Sequence, residues 1–328
     1  MSNRKRSDRR LGLLGAWLIG GAVLLSGCGS KGEVKRDANG KQVLSGYITL
    51  SGAFALYPLA IQWADEFHRL HPEVDIDISA GGAGKGITDV LADQVDLAMV
   101  SRELKPQEKE RGAVAYAVAK DAVVATVNAD NPVLAQLMAT GLRQDVAARL
   151  WRGEVKNWGE VAGHSQADGK SPLAKGAQAP VNVYTRSDAC GAAETWAAYL
   201  GTKQEDLKGT GVFGDPGVAE TLQKDVNGLG FNNIGYAYND KTHKPTKGIA
   251  VVPIDVNGNG KVDADERFYG TLDALMEAIA KGKYPAPPAR NLYLVTAGKP
   301  KNPVVVEFLK YVRTKGQKLN GPAGFVHI

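Results

Sequence analysis

Apolar positions along the chain follow two periods. Ala60, Trp63, Ala64 and Phe67 recur at helical spacing behind Tyr57-Pro58, and the pattern stops by Leu70-His71-Pro72. Val74–Ser79 alternates and predicts a strand, as do the short runs Tyr47–Leu50, Leu97–Val100 and Ala122–Val127. Helical spacing returns over Ile87–Ala92, Leu142–Arg152, near Asp215–Lys224, over Thr271–Lys281 and over Pro303–Arg313. Further β-prone runs are Val181–Tyr184, a stretch ending in Gly235-Tyr236-Ala237-Tyr238, Ile249–Ile254, Leu292–Val295 and Gly324–Ile328. Gly153–Gly163 reads as turn-rich, and Gly163–Pro180 as a polar loop. Strands alternating with helices predict α/β architecture with a largely parallel sheet. Ligands of such sheets sit beyond the carboxyl ends of strands. Three loops fall at such ends: Ser51–Pro58, Ala80–Gly86 and Ser101-Arg102-Glu103.

A fourth such place is Val181–Ala198, where a β-prone run meets a polar turn, Thr185–Asp188, and then a helical pattern. A helix that starts at the end of a strand leaves its first N–H groups unpaired and carries partial positive charge there. Arg186 adds a forked full charge, and Asp188 is spaced to hold it. Cys190, Gly191, Ala192 and Ala193 are small enough for a ligand to reach the backbone. The stretch reads either as an oxyanion site or as a close-packed strand–helix corner with a surface Arg–Asp pair.

The first residues are set apart from the fold. Arg4, Lys5, Arg6, Arg9 and Arg10 precede an apolar run, Leu11–Leu25, too short for a comfortable membrane span. The run ends in Leu25-Ser26-Gly27-Cys28, so residues 1–27 read as a secretory signal. Its last residues resemble the lipobox of bacterial lipoproteins, which implies lipid on Cys28; an ordinary secretory signal or an N-terminal anchor are the alternatives. Residues 28–45 read as a tether, or as an edge hairpin around Asn39-Gly40. The charge of +5 lies mostly in the signal, leaving about +1 and no basic block suited to nucleic acid. With Cys28 lipidated, Cys190 has no intramolecular partner, so an exported chain must rely on its core.

Several chemistries are excluded. Gly84-Lys85 is followed by Gly86 rather than Ser or Thr, so the Gly-rich loop is not a P-loop. No dinucleotide fingerprint, G-x-S-x-G elbow or H-E-x-x-H occurs, and the five His residues are scattered. One motif is sharp. Asp255, Asn257, Asn259, Asp263 and Glu266 stand at positions one, three, five, nine and twelve of an EF-hand loop, with Gly260 at six and Lys261 at seven. A strand rather than a helix precedes it, so a lone structural calcium site is expected, the alternative being an Asn/Gly turn with solvated carboxylates.

These pieces, in order, resemble the phosphate-binding proteins of bacterial ABC importers. The resemblance runs over residues 46–328, through SGAFALYPLAIQWADEF at 51–67, SAGGAGKGITDVL at 79–91, VDLAMVSREL at 95–104, LWRGEVKNWGEV at 150–161, YTRSDACGAAETW at 184–196 and NNIGYAY at 232–238. It implies the two-lobed type II periplasmic-binding-protein fold with two crossover strands. Lobe I is then residues 46–122 plus 241–328, carrying the calcium loop, and lobe II is 123–240. The implied ligand set is Ala55 and Leu56 (to within one residue), Ala83, Gly84, Ser101, Arg102, Arg186, Asp188, Cys190, Gly191 and Ala192. Where that family uses hydroxyls, this chain has Ala83, Cys190 and Ala192, and the first loop also lacks them. Each hydrogen bond lost to a charged ligand is worth about 1.5–3 kcal/mol. Arg102 is expected to compensate as a second cation, and Glu103, Asp188 or Glu194 to accept a ligand proton. The expectation is a non-enzymatic, monomeric, lipid-anchored receptor facing the periplasm or cell exterior, which passes inorganic phosphate to a permease. Alternatives are a receptor for sulfate, phosphonate or tungstate, or a secreted phosphatase using Cys190.

Overall fold

The computed structural model describes residues 32–36, 42–164 and 178–328. The signal, Cys28 and residues 165–177 of the expected loop lie outside these. The strands are β1 (Glu33–Arg36), β2 (Gln42–Gly52), β3 (Val74–Ala80), β4 (Leu97–Val100), β5 (Ala113–Asn128), β6 (Leu142–Arg143), β7 (Asn182–Arg186), β8 (Thr210–Val212), β9 (Gly228–Asn233), β10 (Ile249–Val251), β11 (Ile254–Asp255) and β12 (Ala289–Ala297). Among the described residues, ten of them form one sheet with the path β1-β2-β4-β12-β5-β9-β7-β8, β3 pairing with β2 and β10 with β5. Within each half the pairs at the predicted loops are parallel: β2 with β3 and β4, and β7 with β8 and β9. The sheet is nevertheless mixed. β5 leaves the first half and β12 returns beside it, so the two run antiparallel, from Ala289 opposite Ala122 to Ala297 opposite Ala113.

Two separate cores define two lobes. The first gathers Ile48, Leu50, Trp63, Phe67, Met99, Leu294 and Phe308. Trp63 is fully buried and donates its indole N–H to the Gly316 carbonyl at 3.0 Å. The second gathers Val124, Trp151, Trp158, Trp196 and Phe231, with Trp196 stacked on Phe231 at 5.9 Å and edge-on to Trp151 at 5.3 Å. Trp196 sits on the helix Gly191–Tyr199, so this packing fixes the helix whose first turn faces the cleft. Replacing such a buried Trp by Ala costs about 3–5 kcal/mol.

The lobe boundary expected near residue 241 is corrected. Ile254, Phe268, Leu272, Leu275, Ala278, Ile279 and Tyr284 all pack in the second core. β11 lies parallel to β6, and the helix Leu272–Ala280 buries its apolar face there. The chain therefore returns to the first lobe only at β12, and the loop Asp255–Glu266 belongs to the second lobe. Of the two readings of residues 28–45, the hairpin is the one seen, with Glu33–Arg36 paired to Gln42–Ser45. Three local expectations change. Trp158–His164 is helical, Ile234–Ala237 turns into a short helix after β9, and Val326 makes an isolated bridge to Lys120 rather than a terminal strand. No helix among the described residues is long and apolar enough to cross a membrane.

Candidate functional site

The four loops meet between the lobes. Gly81 and Gly82 donate their N–H groups to the Gly52 carbonyl, each at 2.9 Å, tying the first two loops together. Gly84 N–H donates across the cleft to the Ala189 carbonyl at 3.1 Å. Gly82 has φ +93°, and a Cβ there would lie 3.0 Å from the Ala189 carbonyl and 3.1 Å from Asp188 Oδ2. A Cβ on Gly191 would collide with the carbonyl and hydroxyl of Ser101. Ala83, Gly84, Ser101, Arg102, Arg186, Asp188, Cys190, Gly191 and Ala192 are thus assembled at one interlobe seam. Ala55 and Leu56 pack their side chains into the first core, as Ala83 does, and Phe54 is the residue of that loop that reaches Arg186. The N–H groups of Gly191 and Ala192 open the helix Gly191–Tyr199 and make no hydrogen bond within the described residues.

Arg186 is the buried centre of the second lobe's share. Its Nε donates to Asp188 Oδ1 at 2.8 Å, Nη2 to Asp188 Oδ2 at 2.6 Å and Nη1 to Asp215 Oδ2 at 2.6 Å. Three of its five N–H donors are thereby committed. Asp188 also accepts from Gly214 N–H at 3.1 Å. Asp215 accepts from the backbone N–H and side-chain amide of Asn233, at 2.9 and 2.7 Å. Burial opposes the charge on Arg186, but Asp215 and then Asp188 outweigh it and hold the proton more tightly than usual. Asn233 Oδ1 accepts in turn from Arg290, which pairs with Asp121 at 2.8 Å. Asp121 lies on β5 and Arg290 on β12, so this polar chain runs from the seam to both crossover strands. Sequence reasoning missed Asp215, Asn233 and Phe54. No local spacing joins residues so far apart in the chain.

Arg102 is not a free second cation. Its Nη1 and Nη2 grip Glu108 at 2.8 and 2.7 Å, and its Nε pairs with Glu194 of the opposite lobe at 2.9 Å. Lys105 also pairs with Glu194 at 2.9 Å. Burial would raise the Glu108 carboxyl, but Arg102 and the Lys105 N–H overcome burial and hold it below its ordinary value. All three expected proton acceptors are engaged: Asp188 by Arg186, Glu194 by Arg102 and Lys105, and Glu103 by the Tyr293 hydroxyl.

Cys190 caps the helix, its Sγ accepting from Ala193 N–H at 3.4 Å. Burial pushes its thiol up to about 12 against the pull of Arg186, which leaves no thiolate to act as a nucleophile at neutral pH.

The loop Asp255–Glu266 lies apart from the seam. Asp255 accepts from Gly258 and Gly260 N–H, both at 2.7 Å, and Glu266 from Val256 and Asp263 N–H at 2.8 and 3.0 Å. Asp263 accepts from the Asn257 and Asn259 amides and pairs with Lys261. Among the described residues, no three His, Cys, Asp or Glu side chains are grouped to hold a metal ion.

The family model of the PBP superfamily domain matches residues 37–315. The phosphate-binding protein PstS of Bacillus subtilis is 26% identical over 227 residues, 67% of this chain and 69% of its own. That of Pseudomonas aeruginosa is 27% identical over 301 residues, 86% and 83% of the two chains. A protein of Clostridium perfringens assigned as a phosphate ABC transporter substrate-binding protein, solved with bound phosphate, superposes with a TM-score of 0.67 at 20% identity, covering 86% of this chain and 99% of its own. An ABC-type phosphate transport receptor of Vibrio cholerae superposes at 0.60 with 19% identity, covering 86% and 100%. At these identities the structures establish the shared two-lobed α/β fold. The relatives are named as binding proteins. With the family model spanning most of its length, the chain belongs to the PBP superfamily, among relatives named for binding phosphate.

Proposed function

We propose that this chain is a solute receptor that holds inorganic phosphate at the interlobe seam and delivers it to an ABC permease. The observation that carries the reading is the meeting, across two lobes, of Arg186, the first turn of Gly191–Tyr199 and the Gly82–Gly84 loop. Hydrogen bonds from backbone N–H groups survive the loss of side-chain hydroxyls, and a cleft that closes removes water from the ligand. Cys28 is proposed to carry lipid and hold the receptor at the membrane, facing the periplasm or cell exterior, as a monomer.

The test is titration calorimetry of the purified protein with phosphate, then sulfate, at neutral pH, beside the Arg186→Ala variant. Phosphate heat with none from sulfate, weakened at least tenfold in the variant, is the expected result. An affinity indifferent to Arg186 would remove the site. Ala83, Cys190 and Ala192 in place of hydroxyls favour a second reading, another tetrahedral oxyanion, which sulfate binding in the same experiment would support.

Calcium at Asp255–Glu266 is a separate proposal. The loop offers oxygen ligands at the required positions, and binding needs Glu266 and Asp263 to exchange their N–H and amide partners for the ion. A melting temperature that does not respond to calcium would sink it.

A further inference from the structure

Among the described residues, Phe54 and Phe213 are the phenylalanines that neither core accounts for. Phe213 is 60% exposed, and its ring meets Phe54 edge-on at 5.8 Å. The Phe54 ring lies over the Arg186 guanidinium, 5.6 Å from centroid to Cζ. Its far edge abuts Gly214, where a Cβ would come within 3.2 Å of the ring, and Gly214 has φ +72°. The Phe54 carbonyl accepts from the Tyr236 hydroxyl at 3.1 Å. Phe54 belongs to the first lobe, and Arg186, Phe213, Gly214 and Tyr236 to the second.

Arg186 is therefore enclosed by three groups. Asp188 and Asp215 hold its edges, and an aromatic ring covers one face. The negative face of a ring attracts a guanidinium, and does so more strongly away from water. We propose that Phe54 is a specificity-determining residue, a built-in occupant of the Arg186 face that a small oxyanion must displace. The proposal rests on the oxyanion reading of the seam. The two carboxylates reinforce the effect, because they already balance the charge that an incoming anion would seek. Opening the lobes carries the ring away from Arg186, and closing them returns it, so ring and ligand compete for the closed state. Such competition lowers apparent affinity by the fraction of closed molecules in which the ring is seated.

The experiment is calorimetric titration of the purified protein with inorganic phosphate, compared with Phe54→Ala and Phe213→Ala, with melting temperature as the control for folding. Phe54→Ala is expected to bind phosphate at least tenfold more tightly, and Phe213→Ala to show a smaller gain, since it only supports the ring. Equal or weaker binding by a folded Phe54→Ala protein overturns the proposal. If the unsubstituted protein binds phosphate and the variant shows no gain, only the role of Phe54 fails. If neither binds phosphate, the phosphate reading fails with it.

Discussion

Arg186 and Arg102 face the same seam, and each is held by two carboxylates, yet the two clusters are built differently. Both carboxylate partners of Arg186 come from its own lobe: Asp188 two residues on, and Asp215 at the head of the helix Gly214–Lys224. The side chains of Arg186 and Asp215 are each 1% exposed. That cluster stays assembled wherever the other lobe goes. Arg102 divides its bonds, with Glu108 on its own lobe and Glu194 on the other. Glu194 is also partly exposed and shared with Lys105. Opening the cleft must break the Arg102–Glu194 pair and leave the Arg102–Glu108 pair whole. The difference separates a fixed element of the site from a latch. A charge whose partners share its rigid body is pre-organised, whereas a charge paired across the hinge reports on closure.

The largest effect is expected where the fixed cluster is broken. Asp215→Ala removes one partner of a buried Arg and leaves Asn233 N–H without its acceptor. A loss of about 3–5 kcal/mol in chemical denaturation is expected. A loss below about 1 kcal/mol would mean that Arg186 is not held as described.

The next effect is a pH dependence at the half of the Arg102 cluster that does not cross the hinge. Glu108 titrates below its ordinary value of 4.5 in the folded chain. Its contribution is therefore complete above about pH 4.5 and is lost as pH falls through the depressed folded value. Melting curves of the unsubstituted protein and Glu108→Gln should differ near neutrality and converge in acid. A constant difference across that range would place the acid sensitivity elsewhere.

The smallest thermodynamic effect is expected at the latch. Glu194→Gln should change stability by no more than about 1 kcal/mol, because Glu194 is partly exposed and shared with Lys105, and Arg102 keeps its pair with Glu108. It should still shift small-angle scattering toward a larger radius, as the lobes lose one of their ties. An unchanged radius would reduce Arg102–Glu194 to a surface contact.

Much of the fold could be read from local pattern. Leu97–Val100 is the observed β4, and the helices at Tyr57–Leu70, Leu272–Ala280 and Pro303–Val312 fall where their apolar spacing put them. Gly- and Ala-rich loops at strand ends were visible because small residues are needed where backbones touch, as at Gly82 and Gly191. The lobe boundary was not legible. Nothing near residue 241 distinguishes a strand that crosses from one that pairs back, and burial of Leu272, Leu275 and Ile279 in the second core decides it. The mixed sheet was missed for a similar reason, since the antiparallel contact of β5 and β12 joins residues far apart in the chain.

The site divides the same way. By itself the sequence determined that Arg186 and Asp188 lie two residues apart at a strand–helix junction, because an extended strand followed by a small-residue helix start is local chemistry. It also determined which hydroxyls are missing. Only the tertiary structure decided that Asp215 completes the Arg186 cluster, that Arg102 is spent on Glu108 and Glu194, and that Phe54 covers the guanidinium. Each of these depends on how two lobes are placed against one another or on how one lobe packs its own distant segments. Hydrophobic burial sets that placement without direction, and it leaves no period or spacing in the chain from which it could be read.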